Sequence, residues 1–381
     1  ADPGNAAYGT RQARFLRIEK AVSQADDDVR DIDNAAFGVT GFMREILGYA
    51  PIEPDGSVHV KVPANVAFQM SVLDRNGRRI PRFSPHANWL QVRPGEVLQC
   101  NGCHTPASTA NLRSHGRSGL FGAAYSGAAT TGAAFPNTNP GFSPDAGETM
   151  AQTRARTSCA SDTPRCAAMN LSVNVVSTEV WTDPPAATPD IAYTYTDPTF
   201  TTPVPAFPAS CTTSWSPRCR VIINYVQHIQ ALWDKPRPVF DSMGVMIADN
   251  TCSQAGCHAP TNAANMAMVP AGQLDLTAVP SDDQQLQLRS YRELFFTDTQ
   301  QEVIMGALQD VPGPLDANAQ PTPGPTVGPY LNGGSANGGR SNPFLSRFAT
   351  GSGSTHVGYL SPAELRLLSE WLDIGAQYFN N

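Results

Sequence analysis

Apolar and polar residues alternate strictly through "GSVHVKVP" (56–63), which puts Val58, Val60 and Val62 on one face of an extended segment and His59 at the surface opposite. "VAFQMSVLDRNGRRI" (66–80) predicts a strand followed by a hairpin at Asn76-Gly77, a dipeptide that accepts the positive φ a tight turn needs. "NWLQVRPGEVLQC" (88–100) predicts a further strand pair broken at Pro94-Gly95. Residues 1–48 show no such period and read as a helix-like or irregular lead-in. The pattern predicts a domain over 1–104 made of this lead-in and a small antiparallel β-sandwich. A loop-rich wrap follows over 105–219, with strands in "LSVNVVSTEVW" (171–181) and "IAYTYTD" (191–197).

The third region, 220–381, changes character. "RVIINYVQHIQALWDK" (220–235) and "DDQQLQLRSYRELFF" (282–296) predict helices, and a Pro/Gly/Asn-rich stretch (311–343) reads as a loose connection. At the end, Ser361 is placed as an N-cap, Pro362 at the first helical position and Glu364 as the reciprocal partner of a capping box. Leu365, Leu368, Trp371 and Leu372 then recur at helical spacing. The fold class expected is α+β: the sandwich-like domain with long loops, and a mainly helical, cytochrome c-like C-terminal domain.

Composition narrows the partners. Only 15% of the 381 residues are charged and the net charge is −7, so no basic stripe exists to meet nucleic-acid phosphates. No apolar run predicts a membrane-crossing helix. The start, "ADPGNAAYG", reads as processed or truncated. The acidic run "QADDDVRDID" (24–33) lacks the Gly and terminal Glu of a calcium loop and is expected to be solvated.

The eight cysteines carry the chemistry. Cys159–Cys166 and Cys211–Cys219 are expected as local disulfides, each closing a short loop, and imply an oxidising compartment, periplasmic or extracellular. The other four fall in "CNGCH" (Cys100, Cys103, His104) and "CSQAGCH" (Cys252, Cys257, His258). In such motifs two thiols add to the vinyl groups at one porphyrin edge, and the following His meets the iron. Two covalently bound haem c groups are therefore expected. For the sixth ligand of the second haem His356 is preferred, with Met266, Met268 and Met305 competing. For the first, His115 and His228 compete, with His86 in reserve.

Two stretches are similar to a known family. "ILGYAPIEPDGSVHVKVPANVAFQMSVLDRNGR" with "WLQVRPGEVLQCNGCH" resembles the middle domain of the hydrazine synthase alpha-subunit family, and "LSPAELRLLSEWLDIGAQYFNN" resembles that family's C-terminal cytochrome domain. The resemblance implies one haem in the middle domain and a second in the C-terminal domain, with His258 and His356 as its paired axial ligands. It also has limits. The family's N-terminal propeller has no counterpart here. The tyrosine that follows the family's first haem motif is replaced by a stretch, Thr105 to Thr109, without one. Hydrazine chemistry is not expected.

Extracytoplasmic electron transfer is the leading expectation, to a redox partner protein or along a homopolymer of this chain with haems of adjacent copies in a row. A haem enzyme acting on a small nitrogen compound or peroxide at an open first haem is the alternative, and a redox-inert docking module a third. No nucleophile–base arrangement, P-loop or GxGxxG favours catalysis.

Overall fold

A computed structural model describes residues 2–22, 44–80, 89–100, 127–159, 167–182, 189–195, 198, 200–331 and 342–379. It combines helices with small antiparallel sheets. Strands β1 (Phe15–Ala21), β2 (Arg44–Pro51) and β3 (Phe68–Leu73) form a sheet in the order β2-β1-β3. The central strand thus lies inside the expected lead-in, which is a correction. Its charged Arg17 and Glu19 hide its strand character, yet both are buried. Gly48 in β2 has φ of +152°, and a Cβ there would stand 2.8 Å from the Ser172 carbonyl, so only glycine allows this close approach.

One face of the sheet packs Ile18, Leu47 and Phe68 against Val92 and Leu171. Val58, Val60 and Val62 join this cluster as their alternation predicts. They do so without a ladder: residues 57–63 form no strand, and Lys61 N donates to the Met169 carbonyl instead. The Asn76-Gly77 hairpin is present, closed by Asp74 N to Arg78 O at 2.8 Å.

Beyond the sheet come helix α1 (Met150–Cys159), inside the expected wrap, and the pair β4 (Val175–Ser177) and β5 (Ile191–Tyr193). The helix expected over 220–235 begins late. Val221 bridges Ile46 and Ile222 bridges Ala206, so the chain stays extended until Asn224 caps a π-helical turn (Tyr225–Ile229) and the short α2 (Gln230–Asp234). Hairpin β6–β7 (Pro238–Phe240, Met246–Asp249), α3 (Arg289–Phe295), strands β8 to β11 between Asp298 and Val327, α4 (Pro343–Ser346) and α5 (Pro362–Asp373) complete the order.

Helix α5 carries the expected capping box, and its Leu368, Trp371 and Leu372 are buried. A single hydrophobic cluster runs from Phe15 and Tyr49 of the sheet through Val221, Tyr225 and Tyr291 to Trp371 and Tyr378. Buried charges cross the same junction. Arg17 pairs with Asp373 at 2.6 Å and with Glu19 at 2.7 Å, and Arg79 pairs with Asp373 at 3.0 Å. Glu370 accepts from the hydroxyls of Tyr49 and Tyr195 and from Arg366 Nε. Burial first, and then the Glu370 charge, pushes both phenols far above their ordinary range.

Cys211 and Cys219 are joined as expected, with Cα atoms 5.7 Å apart. Replacing both by serine is expected to lower unfolding free energy by about 2.5 kcal/mol, the closure entropy of so short a loop, read from urea denaturation. Cys159 is also disulfide-bonded; Cys166 lies outside the described residues. No described helix is long and apolar enough to cross a membrane.

Candidate functional site

The loop Thr251–His258 is a tight coil held by its own backbone: Cys257 N donates to Gln254 O at 3.1 Å and His258 N to Cys252 O at 3.0 Å. Gly256 takes φ of +90°, which costs an L side chain about 1–2 kcal/mol. Gly256→Ala is therefore expected to destabilise the protein by that amount in urea titration. Both thiols are free; Cys252 is buried and Cys257 half-buried. Burial pushes the Cys252 thiol up to about 11, against a partial offset from Arg237.

The His258 ring faces His356, with centroids 6.0 Å apart and ring planes inclined by 32°. An imidazole nitrogen ligates a metal at about 2 Å and the ring centre lies about 1 Å further back, so two imidazoles sharing one metal have centres about 6 Å apart. Each ring already spends its Nδ1 on the protein. In His258 it meets Leu274 O at 3.1 Å; in His356 it meets Ser354 Oγ at 3.3 Å and Thr355 Oγ1 at 3.4 Å. The Ala271 backbone is a second partner of the His258 ring. Such Nδ1 contacts orient a ligating imidazole and fix its tautomer. Burial lowers the pKa of both rings, and for His356 Arg347 adds to this, so both are neutral near pH 7, the form that binds a metal. These residues fit a bis-imidazole haem stitched through Cys252 and Cys257.

Aromatic rings wall the His356 side: Phe348 at 6.0 Å and Tyr359 at 5.5 Å, between centroids. Arg237 ties the site to α5, donating to Tyr359 O and pairing with Glu364 at 3.3 Å, while Lys235 reaches Glu364 at 2.7 Å. Burial pushes the Glu364 carboxyl up, but Lys235, the Ser361 amide and Arg237 outweigh it and hold the group below its ordinary 4.5. Because the folded value is the lower one, this stabilisation is complete above 4.5 and is lost as pH falls through the folded value. Thermal melts from pH 6 to pH 3 should accordingly show a falling Tm that is less steep in Glu364→Gln.

The other expected site residues are scattered. Met305 is fully exposed at a hairpin tip, and Met266 is exposed too. His228 is buried, and its ring meets backbone groups: Nδ1 accepts from Asn224 N at 2.8 Å, and the Val204 backbone is a second partner. His59, expected at the surface, is half-buried, with its Nδ1 enclosed and without a partner among the described residues. Cys100 is exposed. Cys103, His104, His115, His86 and the acidic run 24–33 lie outside the described residues. Among the described residues no cluster of three or more His, Cys, Asp or Glu could hold a metal ion. Sequence reasoning missed Leu274, Ser354 and Thr355, whose roles lie in backbone geometry and in a short turn that leave no spacing signal.

Residues 11–105 match a family model described as the hydrazine synthase alpha subunit middle domain. The matched stretch contains the β2-β1-β3 sheet and ends just past the first Cys-Cys-His motif. No curated protein and no solved structure matches the chain.

Proposed function

We propose that this chain is a dihaem c-type cytochrome that transfers electrons outside the cytoplasm. The observation that carries the reading is the facing pair of neutral imidazoles, His258 and His356, beside two free thiols at the motif that precedes His258. Haem supplies one-electron redox chemistry at iron, with a potential set by its axial ligands and its burial. Cys252 and Cys257 would hold the second group covalently. His258 and His356 would both hold its iron, which favours a carrier over a catalyst. Leu274 O, Ser354 and Thr355 keep the rings oriented, and Phe348 and Tyr359 exclude water from one side. Residues 220–381 act as the cytochrome c-like unit.

The first haem takes Cys100, Cys103 and His104. For its other position His115 is set ahead of His228, which already spends its Nδ1 on Asn224. The Cys211–Cys219 disulfide supports a periplasmic or extracellular setting. The acceptor is a redox partner or a neighbouring copy in a homopolymer.

Intact mass and the pyridine haemochrome spectrum of protein made in a host with haem-attachment machinery test the reading. Two covalent haems per chain are expected; none, or one, overturns it. His228→Ala should leave the low-spin spectrum unchanged, whereas His115→Ala opens one iron to carbon monoxide.

A further inference from the structure

Between Thr297 and Tyr330 every described residue is exposed or half-buried, and none is buried. Over this length the chain forms an ordered arm. β8 (Asp298–Thr299) pairs with β11 (Thr326–Val327), and β9 (Gln301–Ile304) with β10 (Ala307–Asp310). A second turn follows, closed by Asp316 N to Gln320 O at 2.8 Å. The arm is anchored at its base, where Leu331 N donates to Leu294 O and the Gln273 side chain makes paired hydrogen bonds with the Gln301 backbone. Gln273 adjoins Leu274, whose carbonyl orients His258, so the arm rises beside the proposed second haem. A two-stranded ribbon in water is marginal by itself, and an arm this long that buries nothing is ordered against the conformational entropy of its chain.

Its chemistry is one-sided. Asp298, Glu302, Asp310 and Asp316 are all exposed, none forms an ion pair among the described residues, and 298–327 holds no Lys or Arg. Val303, Met305 and Leu315 add exposed apolar surface. The complementary feature lies elsewhere on the same chain. Residues 198–220 contain no acidic residue, and the loop stapled by Cys211–Cys219 presents Arg218 and Arg220, both exposed. Arg220 reaches Glu45 only at 3.7 Å, and the Arg218 guanidinium has no partner among the described residues.

We propose that the acidic arm of one copy docks on the Arg218/Arg220 loop of the next. This rests on the homopolymer form of the function above and names its contact. The two patches differ, so the interface is heterologous and repeats head to tail. Charge complementarity of this kind sets partner choice and register.

Light scattering of the haem-loaded full chain tests it. In low salt the mass should rise with concentration, and high salt should reduce it, because exposed charges are screened. The arm reversal E302K/D310K spares Asp316, whose carboxylate holds the second turn, the loop reversal R218E spares Arg220, which pairs with Glu45, and circular dichroism and the haem spectrum check their folding. Each variant alone should need at least about tenfold more protein to associate. A mixture of the two should assemble again, since each then offers the other a complementary patch. If the variants assemble like the parent, or the mixture is not restored, this contact is wrong while assembly itself stands. If the parent is a single chain at every concentration, contact and homopolymer both fall, and the haem spectrum still reports separately on the electron carrier.

Discussion

If His258 and His356 share a haem iron as proposed, His356→Ala is expected to turn about half of the ferric low-spin signal of a dihaem protein high-spin, and carbon monoxide should bind that half after reduction. Met305→Ala serves as the contrast. Its side chain stands free at a turn tip and should leave the spectrum as it was, although methionine is a common haem ligand. Ser354→Ala should produce a smaller change, a shift in potential without a change of spin state, because it perturbs only the orientation of the His356 ring. An unaltered low-spin spectrum in His356→Ala would mean that another group caps this iron.

Asp373→Ala is expected to produce the largest loss of stability in the molecule. The carboxylate lies between Arg17 and Arg79, and all three side chains are nearly inaccessible to water. Removing it takes the paired carboxylate from Arg79 and leaves Arg17 with Glu19 alone, a defect that costs about 3–5 kcal/mol. Arg44 is close by and donates to the Asp373 carbonyl, which sharpens the imbalance. Urea unfolding reads the effect directly. Asp373→Asn keeps the shape but not the charge and should lose less. A loss under 1 kcal/mol in the alanine variant would show that the arginines find other partners.

The parts of this fold legible in the sequence are those whose cause is local. Ser361 and Glu364 announce the start of α5 because a capping box is complete within one helical turn. Asn76-Gly77 announces a hairpin for the same reason, and the valines at 58, 60 and 62 found the face their alternation assigns them. What stayed hidden depends on distant partners. Arg17 and Glu19 make β1 look like an exposed lead-in, and the residue that makes their burial tolerable, Asp373, lies at the other end of the chain. Residues 220–224 follow a helical pattern, but Ile46 and Ala206 draw them into bridges. The stretch 311–331 looked loose from its prolines and glycines, yet paired turns order it as the end of the arm. The tight turn at Met305-Gly306 puts both residues at positive φ, a geometry methionine does not advertise. At the site, motif and family resemblance pointed to His258 and His356, while the groups that hold their rings came only with the backbone.

The Arg17–Asp373 bond spans 356 positions of sequence. As the polypeptide emerges from its N-terminus, Arg17 has Glu19 of its own strand but lacks Asp373 until nearly the whole chain has been delivered. Contacts this remote slow folding and lengthen the life of partly open forms. Throughout that interval the hydrophobic cluster that Cys252 shares with α5 is incomplete, so its thiol is less enclosed than in the finished fold.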